Sequence, residues 1–561
     1  MTDPNDDDLF ARTERWIAAD PDPATGAALT DVLERARSSG DLVELRDLMG
    51  ERLDFGTAGL RGEMGPGSNR LNLLMARQTA AGLARTLHAH GERAVERGVL
   101  VGHDARHHSD EFALGCVAVL EAAGIPCRLV DGPQPTPLVA WGLRHLDAAA
   151  AIVVTASHNP AKDNGIKIYW GDGAQIVPPI DGWIADDIAA AVAERLDPVG
   201  PPVRPTPAPS SLLDDYAAMV VGLVGGPDEE RSDLPIVATA MHGVGAPLLR
   251  RCLTEAGFTS LATVPEQNAP DPDFPTIPFP NPEEHGATDL LLALAESNDA
   301  AVAFANDPDA DRLAMGIPAG DGGWRMLTGD ELGALFAAGL MAHRSSDRTP
   351  LLVTTVVSSQ LLAAIAADAG AVFEETLTGF KWLCRPGFAH PELDQVLAYE
   401  ESIGYAVGGL CDKDGISAAV VMADLVRRWR AHGVSPQDVL DDLARRHGAH
   451  VTNNFSIRVS GPGWSTRLAA AAASVVADPP TELAGVAVAR LDQPADDVIR
   501  LFLANGDRVV IRPSGTEPKL KCYCEAVEPV AASETPDAAR SRARSRTSSF
   551  HDELVARLGL D

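Results

Sequence analysis

The chain has 561 residues with 79 acidic and 47 basic side chains, which gives a formal net charge of −32. This excess of negative charge argues against sequence-independent nucleic-acid binding, because phosphate backbones are held by basic patches. The seven cysteines form no CxxC pair, and their odd number does not suit a disulfide scaffold. No apolar run approaches the ~20 residues of a membrane span, and the N terminus lacks signal-peptide features. We therefore expect a cytoplasmic protein with no nucleic-acid or membrane partner.

The first predicted elements alternate short apolar strands with helical stretches, after an amphipathic N-terminal region. A helix is expected at 109–123, and strands are expected at 99–102, 127–130 and 148–154. That alternation is typical of a parallel α/β layer. Six prolines between Pro198 and Pro209 indicate a linker, so we expect a first domain over 1–205.

The same alternation predicts a second α/β domain over 206–325. Its strands are expected at 236–240, 260–264 and 300–305. A stretch with seven prolines, 265–282, lies inside this domain and is interpreted as a long ordered loop. Composition alone assigns no function to it.

A third α/β domain is predicted over 326–447, with strands at 351–357, 372–376 and 396–400. From Asn454 onward the pattern becomes strand-rich, and the chain ends in a polar, arginine-rich helix or tail. We expect a different, α+β domain over 448–561. The predicted fold class is α/β, with three similar mixed α/β domains and a smaller C-terminal α+β domain.

The segment 155–160, Thr-Ala-Ser-His-Asn-Pro, follows the predicted strand 148–154 and places Ser157 on a sharp turn at a strand end. A serine hydroxyl there can carry a covalent group. The plain alternative is a polar turn closed by an Asn-Pro breaker.

Three carboxylates, those of Asp307, Asp309 and Asp311, follow the predicted strand 300–305. Their spacing lets them converge on one hard cation, and oxygen ligands favour Mg²⁺ over zinc. An EF-hand loop fails, because its sixth position is Arg312 and not Gly, and its twelfth is Pro318 and not Glu. The segment also differs from an Asp-x-Asp phosphatase loop, because it lacks the hydroxyl residue expected at the fifth position. A solvated acidic turn is the plain alternative.

Two further segments carry polar groups that suit different ligands, a phosphate for the first and hydroxyls for the second. The segment 512–519, Arg-Pro-Ser-Gly-Thr-Glu-Pro-Lys, offers a guanidinium and neutral donors for a phosphate, although a hairpin turn would look similar. The segment 400–404, Glu-Glu-Ser-Ile-Gly, offers a carboxylate and a hydroxyl for sugar diols, although two adjacent glutamates also occur at exposed helix starts.

Lysine is scarce in this chain, which has 41 arginines and six lysines. All six lysines fall within segments that look like motifs, which suggests positions that need a compact ammonium or one able to lose its proton. Coincidence with solvated loops is the alternative. These lysines are Lys162, Lys167, Lys381, Lys413, Lys519 and Lys521.

Taken in chain order, the four loops at 155–160, 307–312, 400–404 and 512–519 resemble those of the α-D-phosphohexomutase superfamily, the phosphoglucomutases and phosphomannomutases. The segments 54–62 and 102–106 resemble the N-terminal active-site segments of that family. The resemblance covers nearly the whole chain and implies four domains around one central active-site cleft. It implies an intramolecular phosphotransferase, a monomer or homodimer acting on a phosphorylated sugar.

The resemblance also implies a role for each matching residue. Ser157 would carry a phosphoryl group, and Ser157 through that phosphate, together with Asp307, Asp309 and Asp311, would bind Mg²⁺. Lys167 would be the general acid/base, with its pKa lowered by surrounding positive charge. Arg312 would stabilise transferring charge, and a sugar 1,6-bisphosphate would be both intermediate and activator.

The remaining implied roles concern the substrate. His158, which we expect to project away from Ser157 in an extended chain, would shape the serine loop. Gly404 replaces a histidine found in mannose and glucosamine enzymes, so Lys381 is the candidate second acid/base. The residues implied in substrate binding are Arg61, Thr378, Gly379, Glu400, Ser402, Arg512, Ser514, Gly515, Thr516 and Lys519.

The sugar loop is most similar to that of phosphoglucomutases, so glucose phosphate is the expected substrate, with mannose and pentose phosphates as alternatives. The segment 55–62 also resembles a subgroup that includes phosphopentomutases. A serine hydrolase with a distant histidine and a non-catalytic sugar-phosphate sensor are more remote alternatives. Turnover of an acyl substrate, or binding without turnover, would distinguish them.

Overall fold

The computed structural model describes residues 4–56, 59–194, 197, 205–320, 322–459, 463–513 and 519–558. Two compact units divide the chain: one contains Met1–Met326 with Gly404–Asp424, and the other contains Leu327–Ile403 with Leu425–Asp561. Among the described residues, none of the helices is both long and apolar enough to cross a membrane.

The N-terminal part of the first unit is a mixed sheet covered by helices. Its helices are α1 (Pro4–Ala19), α2 (Pro23–Ser39), α3 (Val43–Met49), α4 (Leu73–His90), α5 (Ala94–Arg97), α6 (Ser109–Ala122), α7 (Thr136–His145) and α8 (Ile180–Glu194). Its strands are β1 (Phe55–Gly56), β2 (Gly59–Glu63), β3 (Val99–His103), β4 (Cys127–Leu129), β5 (Ala150–Val154), β6 (Asp163–Trp170) and β7 (Thr206–Pro207). The strand order is β1-β2-β6-β5-β3-β4-β7.

The centre of this sheet is buried on both faces. Strand β3 pairs in parallel with β4 and β5, and β5 pairs antiparallel with β6. Every residue of β3 and β5 is buried, which explains why these strands read as continuous apolar runs and not as alternating ones.

A second sheet in the same unit has the order β12-β11-β10-β8-β9. Its strands are β8 (Ile236–Thr239), β9 (Leu261–Thr263), β10 (Val302–Ala305), β11 (Ala314–Pro318) and β12 (Trp324–Met326). Its helices are α9 (Leu212–Leu223), α10 (Ala246–Ala256) and α11 (Asp289–Ser297), with short 3₁₀ helices at Glu229–Asp233 and Pro265–Gln267. Strand β10 pairs in parallel with β8 and antiparallel with β11.

The serine loop, 155–160, follows the carboxyl end of β5, and the aspartate loop, 307–312, follows the carboxyl end of β10. In α/β sheets, ligands bind at the carboxyl ends of the strands. The turn around Gly243 packs against the aspartate loop. A Cβ atom at Gly243 would lie 2.3 Å from the Cα atom of Pro308, so only glycine permits this approach.

The second unit begins with a helix and a parallel sheet. These comprise α12 (Gly329–Ala342), β13 (Pro350–Thr355), α13 (Leu361–Asp368), β14 (Val372–Thr376), α14 (Phe380–Leu383), α15 (Arg385–Ala389) and β15 (Asp394–Glu400). Strand β13 pairs in parallel with β14 and β15. The returning segment of the first unit contains β16 (Gly404–Val407) and the start of α16 (Gly415–Ala431).

The C-terminal part of the second unit is an antiparallel sheet with the order β17-β22-β21-β20-β19-β18. Its strands are β17 (Ala449–Arg458), β18 (Glu482–Leu483), β19 (Val486–Ala495), β20 (Val498–Leu503), β21 (Arg508–Pro513) and β22 (Lys519–Glu528). Helices α17 (Pro436–His447), α18 (Trp464–Ala477) and α19 (Pro536–Leu558) accompany it. The arginine-rich C-terminal segment is therefore a helix. Most of the predicted linker, 198–204, lies outside the described residues.

Candidate active site

Ser157 lies on a strained turn directly after β5. Its φ of +53° is in the left-handed region, and the residue is only 2% exposed. The backbone N–H of Ser157 donates to the hydroxyl of Thr155 at 2.8 Å, and its own hydroxyl donates to Oδ2 of Asp307 at 2.8 Å. The serine hydroxyl and the aspartate loop therefore meet inside the first unit.

A buried guanidinium holds the serine loop from behind. Arg106 donates to the carbonyl oxygens of Ser157 and Asn159, each at 2.6 Å, and to those of Pro160 and Asp163 at 2.9 and 3.1 Å. Four carbonyls that point at one cation fix the path of the loop. Arg106 belongs to the segment 102–106, which the resemblance had marked without assigning roles within it.

His158 contacts the serine it follows. Its Nδ1 atom lies 3.1 Å from Oγ of Ser157, so the expectation that this side chain projects away was wrong. The left-handed turn at Ser157 is the reason, because it replaces the alternating directions of an extended chain. Burial lowers the pKa of His158 well below its ordinary value, and the nearby cations Arg312 and Arg61 lower it further.

Asp307, Asp309 and Asp311 form a compact carboxylate cluster. All three are fully buried, and one oxygen of each lies within 4.8 Å of the others. The Oδ1 atoms of Asp309 and Asp311 are buried and have no hydrogen-bond partner among the described residues. Buried carboxylate oxygens of this kind fit a hard cation, because an unmatched buried charge is costly. The cluster can bind a metal ion.

The charges of the cluster differ between its members. Burial raises the pKa of Asp307 well above its ordinary value, and repulsion from Asp309 and Asp311 raises it further. For Asp311, burial alone would raise the pKa, but Lys167 and Lys413 lower it far below the ordinary value.

Lys167 bridges two carboxylates of the cluster. Its ammonium donates to Oδ2 of Asp309 and Oδ2 of Asp311, each at 2.6 Å. Burial alone would lower the pKa of Lys167, but the two carboxylates outweigh burial and raise it. The expectation of a lowered pKa was therefore wrong, because the nearest charges are negative.

A second lysine, Lys413, was not assigned a role by the sequence. Its Nζ atom lies 3.0 Å from Oδ2 of Asp311. The flanking Asp412 accepts from the hydroxyl of Tyr169, and Asp414 accepts from the hydroxyl of Tyr216, both at 2.7 Å. The scarcity of lysine marked this segment, although it did not show what the ammonium contacts.

Two arginines flank these groups. Arg61, on β2, is exposed and donates to Oδ1 of Asn159 at 3.2 Å. Arg312 lies 3.4 Å from the carboxylate of Glu283, and its backbone forms an antiparallel bridge with Gly404. The first unit thus brings together the predicted residues Arg61, Ser157, His158, Lys167, Asp307, Asp309, Asp311 and Arg312.

The other predicted residues lie in the second unit. Arg512 donates to the hydroxyl of Thr378 and lies 3.1 Å from Asp497. Lys381 is buried, with its ammonium 5.8 Å from the centre of the Trp382 ring. The remaining positions are Gly379 with a φ of +102°, Glu400 at the buried end of β15, half-buried Ser402, and Lys519 at the start of β22. Ser514, Gly515 and Thr516 lie outside the described residues.

Four segments of the chain match one protein family, domain by domain. Residues 52–195, 214–320 and 328–447 match domains I, II and III, described as phosphoglucomutase/phosphomannomutase alpha/beta/alpha domains. Residues 472–541 match the C-terminal domain of the same family. The predicted fold class, three α/β domains followed by a different C-terminal one, is confirmed.

Two curated proteins are similar to most of the chain. A probable phosphomannomutase of Haemophilus influenzae is 37% identical over 81% of this chain and 93% of its own. A human phosphopentomutase is 33% identical over 93% of this chain and 92% of its own. Among solved structures, a putative phosphomannomutase from Thermus thermophilus has a TM-score of 0.67 and 21% identity, covering 90% of this chain and 99% of that one. That structure supports the fold.

Proposed function

Because the chain belongs to the phosphoglucomutase/phosphomannomutase family and is a phospho-sugar mutase, we propose that it interconverts the 1-phosphate and 6-phosphate of a hexose, preferably glucose. Ser157 is the phosphoryl carrier. The observation that carries this proposal is the 2.8 Å contact between the hydroxyl of buried Ser157 and Asp307 within the carboxylate cluster. A serine that serves only as a turn residue has no need of such a neighbour.

Asp307, Asp309 and Asp311 hold a Mg²⁺ ion in this proposal, since their buried oxygens match its preference for carboxylate ligands. When bound, the ion supplies positive charge that stabilises the phosphoryl group during transfer. The cations Arg312 and Lys167 supply further positive charge from the protein. His158 holds the Oγ atom of Ser157 in position through its Nδ1 atom.

The proposed reaction consists of two phosphoryl transfers. In the first, the bond between phosphorus and Oγ of Ser157 breaks as a sugar hydroxyl oxygen bonds to phosphorus, and Ser157 regains a hydroxyl proton while the sugar hydroxyl loses one. The product is a sugar 1,6-bisphosphate. After it turns around, the bond between the phosphorus of its other phosphoryl group and the sugar oxygen breaks as Oγ of Ser157 bonds to that phosphorus, and the proton that Ser157 loses replaces the one that Lys167 gives to the sugar. Lys167, held as an ammonium, donates its proton to the sugar oxygen that loses this group.

In this proposal a further set of residues binds the sugar and its non-reacting phosphate. Arg512, with Ser514, Gly515, Thr516 and Lys519 in the same segment, holds the phosphate, and the Arg512–Thr378 contact supports a shared role for these two side chains. Thr378, Gly379, Glu400 and Ser402 contact sugar hydroxyls, and Arg61 contributes a further cation. Lys381 is the second acid/base in place of the histidine that Gly404 replaces.

A pentose phosphate is the second candidate substrate. It is favoured by the similarity to a human phosphopentomutase over 93% of this chain. The test is a comparison of kcat/KM for glucose, mannose, glucosamine and ribose 1-phosphates with Mg²⁺ and a sugar bisphosphate present. Glucose 1-phosphate is expected to give the highest kcat/KM. A higher value for ribose 1-phosphate would show that the preferred substrate is a pentose phosphate and not a hexose phosphate.

The carrier role is tested by Ser157→Ala, with Ser297→Ala as a control at an exposed serine. Intact-mass analysis after incubation with glucose 1,6-bisphosphate should show a phosphoryl group on the wild type and on the control, but not on Ser157→Ala. Mutase turnover should be lost with it. Normal activity of Ser157→Ala would show that another group carries the phosphoryl.

A further inference from the structure

The proline-rich stretch 265–282, which the sequence left without a function, approaches the serine loop in the structure. Together with Glu283 we call it the proline-rich loop. It is anchored to His242, which follows β8 and bonds to Thr276 at 2.8 Å, and within the loop the amide of Gln267 donates to Thr276 at 3.0 Å. Its seven prolines restrict φ, and its backbone also bonds to His242, which donates to the carbonyl of Gln267 at 3.0 Å and accepts from the N–H of Asp271 at 2.9 Å.

The first part of the proline-rich loop packs on Arg106, the clamp that holds the carbonyl groups of the serine loop. The Phe274 ring lies 4.9 Å from the guanidinium of Arg106, within the range of a cation–π contact. Phe274 is buried, and the adjacent Asp273 bonds to His107 at 2.8 Å. The loop therefore covers the arginine that fixes the backbone of Ser157.

The second part of the loop reaches the side chains around the serine hydroxyl. The rings of Phe279 and His158 meet edge to face, with centres 6.0 Å apart and planes at 80°. Glu283 lies 3.4 Å from Arg312. Because His158 also contacts Oγ of Ser157, Phe279 is one side chain removed from the atom proposed to carry the phosphoryl group.

We propose that Phe279 is a positioning residue that holds His158 against Ser157 and keeps water from the phosphoserine, so that the phosphoryl group passes to sugar and not to solvent. This inference rests on the carrier role proposed for Ser157. Hydrolysis of the phosphoserine breaks the same bond between phosphorus and Oγ, while the oxygen of a water molecule bonds to phosphorus. It releases inorganic phosphate and leaves Ser157 with its hydroxyl. An apolar ring beside the serine loop reduces this loss, because enclosed sites protect reactive groups from hydrolysis.

The test uses Phe279→Leu in the full chain, phosphorylated with glucose 1,6-bisphosphate and then freed of it. Intact mass followed over time gives the half-life of the phosphoenzyme, and phosphate release is measured per mutase turnover. We expect the half-life to fall about tenfold and the released phosphate to rise in proportion, because the smaller side chain opens a path for water to the phosphoserine. Phe279→Tyr, which keeps the ring, should restore the wild-type half-life.

Two further variants keep the test decisive. Thr276→Val loosens the loop at its anchor without removing an apolar side chain, so it should shorten the half-life even if Phe279→Leu folds poorly. Glu284→Ala, exposed in the segment that follows, is the control and should match the wild type. Unchanged half-lives in Phe279→Leu and Thr276→Val would overturn the inference and leave the carrier role intact. A wild type that never acquires a phosphoryl group would overturn both.

Discussion

The ammonium of Lys413 lies 3.0 Å from Oδ2 of Asp311. Lys167 donates to the same oxygen at 2.6 Å, so two cations face one carboxylate of the cluster proposed to hold Mg²⁺. Ammonium groups and a metal ion compete for the same negative charge. The balance between them sets how tightly the cluster binds its ion.

Lys413→Gln is expected to tighten Mg²⁺ binding, because it removes one competing positive charge from Asp311. The dissociation constant measured by calorimetry should fall about tenfold, the size of effect expected from a partly screened charge at this distance. Lys162→Gln is the control, since Lys162 is exposed and pairs with Glu63. An unchanged dissociation constant in Lys413→Gln would show that Lys413 does not compete with the ion.

Asp307→Asn should abolish the stabilisation by Mg²⁺ and should increase the stability of the metal-free protein. Burial and two neighbouring carboxylates raise the pKa of Asp307, so its ionised form costs stability in the metal-free protein at neutral pH. The amide removes that charge, so the metal-free variant should be more stable than the metal-free wild type. In thermal unfolding with a chelator, the variant should have the higher Tm. Added Mg²⁺ should raise the Tm of the wild type but not that of the variant.

The opposite order of stability in the chelator would contradict this account of Asp307. Asp347→Asn, at an exposed position, serves as the control and should leave Tm unchanged with and without Mg²⁺.

The strand ends that carry the site could be predicted from sequence, because strands buried on both faces read as continuous apolar runs. The predicted strands 148–154 and 300–305 are observed as β5 and β10, and each is followed by the expected loop. The order of the strands could not be predicted. Antiparallel β6 lies between β2 and β5, and no periodicity in the chain specifies that arrangement.

The contacts and charges around individual side chains could not be predicted from the sequence. The pKa of Lys167 was expected to be lowered, but the carboxylates that raise it come from positions 142 and 144 residues away. The direction of His158 depended on a single backbone angle at Ser157. Both errors arose because local pattern determines strands and turns, whereas charge and contact depend on which loops the fold brings together.

Glu525→Gln should destabilise the second unit in a pH-dependent way. Burial alone would raise the pKa of Glu525, but hydrogen bonding to His450 and the charge of Arg508 lower it to about 2. A carboxyl with a lowered folded pKa contributes stability that is present above its unfolded pKa and is lost as pH falls towards the folded value. From its ordinary value of 4.5, this contribution is roughly 3 kcal/mol at pH 7.

The measurement is the free energy of unfolding in urea for the wild type and Glu525→Gln at pH 7 and pH 3. The difference between the two proteins should be largest at pH 7 and should shrink by more than half at pH 3. A difference that stays constant with pH would mean that Glu525 acts only through packing. Glu482→Gln, exposed on β18, is the control.

Arg106→Gln should impair turnover more than substrate binding. The four carbonyl contacts of Arg106 fix the loop that carries Ser157, and displacement of a reacting group by about 1 Å can reduce kcat about 100-fold. KM should change little, because Arg106 is buried behind the loop. Arg97→Gln is a matched control, since Arg97 donates to carbonyls of Asp147, Ala148 and Gly171. Both variants should lose stability. Only Arg106→Gln should lose kcat, and equal kcat values in the two would show that the clamp stabilises the fold without positioning the serine.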